Sequence, residues 1–304
     1  MPVTVKNGLP AVQTLERENI FVMTHRRAAH QDIRPLEIAI VNLMPTKVAT
    51  ETQLIRLLSN SPLQVNVTLV AMSGYLPKNT SQQHMDTFYV PSEQVLKRRF
   101  DGLIVTGAPL EATPFEEVDY WEELKAILAW ARRNVFSSLF ICWGVNAALY
   151  YYYGIERHLL RKKLFGVYPV ALRDKTSHLL RGFDDPWLVP QSRYMTVLPE
   201  DLEGTGLRVL AASRKCGAVV FSSANHRQAY ITGHLEYDGT TLDREYKRDR
   251  KAGISIDPPF NYYPADDPRR HPMMRWRTYA HQFYSNWLNH YVYQETPFDL
   301  TRLR

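Results

Sequence analysis

The chain predicts an α/β fold built on a mostly parallel sheet with helices on both faces. Two observations carry this. Strand-like and helix-like periodicities alternate through the first half of the chain, and such alternation implies strands joined by crossover helices. The strand segments are also continuous β-branched runs, the mark of strands buried on both faces.

Residues 36–43 (LEIAIVNL) form the first such run, broken at once by residues 44–46 (MPT). Residues 50–58 read as an amphipathic helix, and residues 65–72 as a second strand. Residues 100–106 (FDGLIVT) are a third, ended by Gly107, Ala108 and Pro109. A long helix is expected over 115–134, where Trp121, Leu124, Ile127, Leu128 and Ala131 fall at helical spacing. Residues 136–142 (FSSLFIC) give a fourth strand and 145–153 the helix after it. The second half is more mixed: short strands at 209–213, 217–222 and 228–233 suit a meander, followed by helices at 242–252 and 276–293. The expectation is a single flavodoxin-like domain over 1–304. Residues 1–35 are an N-terminal extension, 36–240 the α/β core, and 241–304 a helical part that closes over it. In such sheets ligands sit at the carboxyl ends of the strands.

Composition narrows the function. The 304 residues are 45% apolar, with 19 Pro and 14 Gly scattered through the chain, which excludes disordered and collagen-like classes. No apolar run reaches 18 residues and no charged-then-apolar stretch opens the sequence, so neither a membrane span nor a signal peptide is expected. Cys142 and Cys216 are the only cysteines, too few for a disulfide-built secreted fold, so a cytoplasmic setting is expected. The net charge is +6, yet no aromatic-interleaved basic stripe or DNA-reading motif accompanies it. A nucleic-acid partner is not expected; a phosphorylated co-substrate fits the charge. No metal-ligand spacing, Walker A loop or G-x-G-x-x-G is present, so no metal is expected.

Cys142 is the most informative residue. A lone cysteine is usually a small buried hydrophobe, but this one ends an apolar strand and is followed by Trp143, Gly144 and a helix. A thiol on a sharp strand-to-helix turn is lifted out at the sheet's carboxyl edge, facing the positive helix end that stabilises thiolate. That is the geometry of a nucleophile elbow, although G-x-S-x-G itself is missing. Cys216 lies in a polar turn and has none of these features. Of ten histidines, His234 alone ends a strand, in the run Thr232-Gly-His-Leu-Glu236. In an extended segment His234 and Glu236 project to one side. A carboxylate there fixes the imidazole's tautomer as the third member of a triad does.

These stretches resemble the homoserine O-acyltransferase family over nearly the whole chain. The matching segments are Ile40-Val-Asn-Leu-Met-Pro-Thr46, Thr106-Gly-Ala-Pro-Leu-Glu111, Glu117-Val-Asp-Tyr-Trp121, Ile141-Cys-Trp-Gly144, Lys163-Leu-Phe-Gly-Val-Tyr168 and Ser192-Arg-Tyr194. They continue with Gly233-His-Leu-Glu-Tyr237, Glu245-Tyr-Lys-Arg-Asp249 and Asn286-Trp-Leu-Asn289. The resemblance implies a fold related to class I glutamine amidotransferases, whose Cys and His-x-Glu triad has the same arrangement. It makes Cys142 the nucleophile that takes an acyl group from coenzyme A, His234 the general base and acid, and Glu236 its orienting partner, in a ping-pong reaction. An oxyanion hole is expected from the N–H of Trp143 and a partner near Leu43 and Met44. Arg248 would clamp the acceptor's α-carboxylate, with Lys163 and Ser192 lining the same pocket. In this family Glu at the position of Glu111 accompanies acetyl-CoA and Gly accompanies succinyl-CoA; a carboxylate there fills the space of a succinyl group and repels its charge. No bound cofactor is implied, only acetyl-CoA as co-substrate, and a homodimer.

The chain departs from the family pattern at three places. Ala-Gln after Cys-Trp-Gly is here Val145-Asn146. The His before Ser-Arg is Gln191. Trp-Arg-Ser-His-Gly is Trp276-Arg-Thr-Tyr-Ala280. The triad is untouched, so the expected reaction is acetyl transfer to homoserine. Serine, one methylene shorter, is the alternative acceptor, since a methylene is worth only about 1–3 kcal/mol in a pocket.

Overall fold

In the computed structural model, described over residues 3–17, 23–24, 34–73, 79–110 and 113–303, strands of the expected kind lie side by side in one sheet. In chain order its elements are β1 (Val3–Val5), α1 (Pro10–Arg17), β2 (Met23–Thr24), β3 (Leu36–Val41), α2 (Lys47–Leu58), β4 (Val65–Ala71), α3 (Gln82–Phe88), β5 (Tyr89–Pro91), α4 (Ser92–Val95) and β6 (Phe100–Val105). Then come α5 (Trp121–Asn134), β7 (Val135–Ile141), α6 (Trp143–Tyr153), β8 (His158–Leu172), β9 (Trp187–Thr196), β10 (Leu207–Ser213), β11 (Gly217–Ser223), β12 (Gln228–Ile231), α7 (Thr241–Lys251) and α8 (Arg277–Asn286), which runs on as a π-helix over Trp287–Tyr293.

The strand order is β2-β1-β4-β3-β6-β7-β12-β11-β10-β8-β9, with β5 beside β4. From β2 to β12 every pairing is parallel; from β12 outward to β9 every pairing is antiparallel. The sheet is thus a parallel centre carrying an antiparallel flank. Chain direction across the sheet reverses at β3, since β4 lies to one side of it and β6 to the other.

Side chains alternate along a strand, and β3 shows the result. Ile38 and Ile40 join one apolar core, with Leu54 and Ile55 of α2 and Phe283 of α8. Ala39 and Val41 join the other, with Leu124 and Leu128 of α5 and Ala148 of α6. Two full cores explain why the central strands read as unbroken apolar runs. The π-helical stretch continues the first core: Trp287 is fully buried, donates its indole N–H to Ser137 Oγ at 3.2 Å, and lies so close to Gly102 that a Cβ there would meet it at 2.8 Å.

The expected elements recur with three differences. The helix expected over 115–134 is interrupted: Phe115–Glu117 is a 3-10 turn, Val118 is extended, and α5 begins at Trp121. Phe115 stacks on Trp121 at 5.0 Å and on Tyr150 at 4.8 Å. In one continuous helix residues 115 and 121 would point about 120° apart, so the break is what brings those rings together. Residues 158–196 hold the β8–β9 hairpin, which periodicity did not reveal. Residues 3–5, within the expected N-terminal extension, add a strand beside β4.

Candidate active site

The carboxyl ends of β6, β7 and β12 converge on the sulfur. Cys142 follows β7 and donates its N–H to Ile231 O of β12 at 2.9 Å. Its backbone sits at φ 50, ψ −111, a strained conformation for a residue with a Cβ. The strain is imposed from both sides, by the β7–β12 pairing before it and by α6 after it. A Cβ on Gly144 would lie 2.8 Å from the carbonyl oxygens of both Val105 and Thr106, so α6 starts directly against the end of β6. The turn expected of a nucleophile elbow is therefore present at the residue predicted for it, and Cys142 keeps 6% of its surface exposed.

His234 is buried just beyond β12 and is anchored by its own N–H to Pro190 O at 2.9 Å. Its Nδ1 lies 2.6 Å from Glu236 Oε1, and the Cys142 sulfur stands close enough to act on its ring. With Nδ1 held by the carboxylate, Nε2 is the nitrogen left for sulfur. The expected route to this pairing was an extended strand; the chain instead turns here, with Tyr237 N–H donating to His234 O at 3.3 Å. Burial pulls the imidazole pKa down, but the Cys142 sulfur and the Glu236 carboxylate outweigh it and hold the pKa well above its ordinary value.

Around this row stands a second layer that joins Ser192, Lys163 and Arg248, expected from the sequence, to Tyr237, Glu245 and Asp249, which sequence reasoning did not single out. The Tyr237 ring stacks on His234 with centroids 4.1 Å apart and planes 16° from parallel. Its hydroxyl donates to Glu245 Oε1 at 2.8 Å, and Ser192 Oγ donates to Glu245 Oε2 at 2.6 Å. Ser192 is thus tied to the imidazole through Glu245 and Tyr237. Lys163 Nζ reaches Asp249 Oδ2 at 3.1 Å, while Arg248 Nη2 takes Oδ1 at 2.6 Å. Burial raises the Asp249 pKa, but these two cations outweigh that and lower it. Lys163 is nearly buried, whereas the Arg248 side chain is 66% exposed while paired with Asp249. The hairpin supplies Lys163 and Ser192, and α7 supplies Glu245, Arg248 and Asp249 from one face, three and four residues apart. Tyr237, Glu245 and Asp249 all fall inside the stretches quoted above; their signal was position in a motif, not chemistry of their own. Trp276 at the head of α8 holds the turn by donating its indole N–H to Tyr237 O at 3.0 Å. Gln191, one of the departures, takes Arg193 Nε at 2.8 Å and packs against Gly233.

Two expected residues fare differently. The Leu43 N–H donates to Thr106 Oγ1 at 2.8 Å, and the Met44 N–H to Asn42 Oδ1 at 3.2 Å. Thr106 follows β6, so the Leu43 N–H is tied to the end of that strand, whereas the Met44 N–H is held within its own loop. Gly107 lies against the Cys142–His234 pair: a Cβ built there would be 3.4 Å from both Cys142 Cβ and His234 Cε1. Trp143 opens α6, where first-turn N–H groups have no intrahelical acceptor. Glu111 lies outside the described residues.

Residues 2–298 match the profile of the family described as homoserine O-succinyltransferase. The chain belongs to that family. Among its relatives are proteins named homoserine O-acetyltransferase from Petrotoga mobilis, 52% identical over all of this chain and 98% of the relative, and from Streptococcus mutans serotype c, 51% identical over 100% and 97%. A third, from Acetivibrio thermocellus, is 49% identical over the full length of both. Solved structures with a similar fold include a glutamine amidotransferase from Methylobacillus flagellatus, with a TM-score of 0.53 and 15% identity over 88% of this chain and 99% of that one. Another, from Thermotoga maritima, has a TM-score of 0.50 and 11% identity over 84% and 98%. The homoserine O-succinyltransferase family fold here is thus of the glutamine amidotransferase type.

Proposed function

We propose that the chain transfers an acetyl group from acetyl-CoA to the hydroxyl of L-homoserine, releasing CoA and O-acetyl-L-homoserine. The row Cys142–His234–Glu236, with the cysteine on a strained elbow and the imidazole held by the carboxylate, supports the acyl-transfer reading. The names of the relatives supply donor and acceptor. The Cys142 thiolate attacks the thioester carbonyl. The oxyanion is met by the Trp143 N–H and the chain at Gly107, and the C–S bond to CoA breaks as His234 returns a proton to the departing thiol. His234 then takes the proton of the acceptor hydroxyl, whose oxygen attacks the Cys142 thioester and frees the thiol. Glu236 holds Nδ1 throughout and stabilises the imidazolium. Arg248, with Lys163 behind it, receives the amino acid's carboxylate, and Ser192 borders the same pocket. The same reading makes the enzyme a cytoplasmic homodimer.

Mass spectrometry of the protein mixed with acetyl-CoA and no acceptor tests the covalent step. The expected result is a gain of about 42 Da on the Cys142 peptide, absent in Cys142→Ser. CoA release is then compared for acetyl-CoA against succinyl-CoA and for homoserine against serine. Faster turnover of succinyl-CoA or of serine would overturn the choice of donor or acceptor. Glu111→Gly is expected to raise succinyl-CoA use relative to acetyl-CoA by about tenfold or more, since it removes both bulk and like charge from the acyl pocket. An unchanged donor ratio would remove Glu111 from that pocket.

A further inference from the structure

On the carboxylate side of the His234–Glu236 pair lies a cleft of about 520 Å³ that the proposed mechanism does not use. Its walls are α2, the turn 235–240 and the start of α8, and its polar side chains include Gln53, Arg56, Glu236, Arg277 and His281. The charges here are unevenly matched. Asp238 holds Arg56 at 2.9 Å, takes Arg244 at 3.6 Å and accepts from Gln53 Nε2 at 3.3 Å. Arg277 has no such carboxylate among the described residues. Its Nε and Nη2 reach only the Met274 thioether, at 3.4 and 3.3 Å, and a thioether is the weakest acceptor a side chain offers. The Nδ1 of His281 is buried with no hydrogen-bond partner. Burial lowers the pKa of this ring, and the Arg277 and Arg56 charges lower it further.

We propose that this cleft is an anion-binding site, taking a phosphate or carboxylate group between Arg277, His281 and Arg56. A guanidinium fork matches either group in plane and in charge, and a ring nitrogen and the Gln53 amide border the same space. Two carboxylates also line the cleft, but Asp238 is engaged by Arg56, Arg244 and Gln53, and Glu236 Oε1 by His234, which leaves Arg277 as the guanidinium without a carboxylate among the described residues. Two sources of the anion share this chemistry: the phosphates of the acyl-CoA donor, which rests on the acyl-transfer reading, and a free small anion, which does not.

Isothermal titration of the full-length protein with inorganic pyrophosphate, at ionic strength held constant with chloride, tests the site directly. Wild type is expected to bind and Arg277→Gln to bind about tenfold or more weakly, with Arg277→Lys intermediate. Steady-state kinetics then separates the sources. A KM for acetyl-CoA raised by Arg277→Gln, with the KM for acetyl-pantetheine unmoved, assigns the cleft to the donor's phosphates. Pyrophosphate binding that depends on Arg277 while both KM values stay put assigns it to a free anion. If neither pyrophosphate affinity nor the acetyl-CoA KM changes in Arg277→Gln, the proposal is overturned. A wild type that binds pyrophosphate yet transfers no acetyl group would instead count against acyl transfer and leave the site standing.

Discussion

The two cysteines of this chain sit in opposite chemical settings, and the contrast is a property of single residues. Cys216 is fully buried, and burial pushes its thiol up to about 11, an effect that the nearby Arg193 and Lys215 charges offset only in part. Cys142 faces an imidazole whose pKa the sulfur and Glu236 raise well above its ordinary value, against the effect of burial. Only the thiolate is a nucleophile. Iodoacetamide applied to the folded protein near about pH 7.5 is therefore expected to label Cys142 and spare Cys216, with both labelled in denaturant; peptide mass mapping reads the result. His234→Ala is expected to slow labelling of Cys142 by about tenfold or more, because the imidazolium partner is gone. Equal labelling of both cysteines in the folded state would contradict this assignment. At this scale the site was legible where a reactive side chain ends a strand, as Cys142 and His234 do. Tyr237, Glu245 and Asp249 were not legible as chemistry, because a stacked phenol and two hydrogen-bonded carboxylates acquire their roles only from neighbours far away in sequence.

Elements were legible in proportion to how uniformly they are buried. β3 and β6 lie under helices on both faces, so nearly every position is apolar and the run announces itself. The β8–β9 hairpin did not, for a physical reason. The first half of β8 is largely exposed and carries Arg161, Lys162 and Lys163, while Pro169 and Pro190 interrupt a strand-like reading. Its pairing also slips between Leu159 and Leu164. That irregular, solvated hairpin is the element that supplies Lys163 and Ser192. The start of α6 shows the opposite case, where one glycine decides an element's placement. With Val105 O and Thr106 O each 2.8 Å from a would-be Cβ, Gly144→Ala forces either β6 or α6 to move. Backbone atoms yield little, so a loss of about 1–3 kcal/mol is expected, read as a lower urea midpoint with an unchanged slope. Because Cys142 directly precedes α6 and Gly107 closely follows β6, turnover is expected to fall further than stability alone requires. A variant of full activity and unchanged midpoint would show that α6 does not depend on that contact.

Across the whole molecule, ionisable groups buried beneath the sheet's carboxyl edge set how stability responds to pH, and Lys47 is the one whose sign is cleanest. It lies at the start of α2, is almost wholly buried, and donates its ammonium to Asn42 O. Burial lowers its pKa from 10.5 to about 8, against the opposing pull of Glu51. The unfolded chain keeps this proton up to about 10.5, whereas the folded chain releases it near 8. Between those values the unfolded state binds more protons, so the contribution of Lys47 makes unfolding harder as pH rises through that window. Buried groups whose pKa is raised, such as Tyr237, Tyr284 and Cys216, act the other way at high pH. The total curve therefore mixes both signs, and only a difference isolates the lysine. Urea unfolding of wild type and Lys47→Met at a series of pH values from 7 to about 10.5 is expected to show the wild-type stability gaining on the variant's across the window and levelling off above it. A flat difference would mean that the amine keeps its proton in the folded chain. Its bond to Asn42 O and its attraction to Glu51 would then outweigh burial, and the loop carrying Leu43 and Met44 would be held by a charge rather than by a neutral amine.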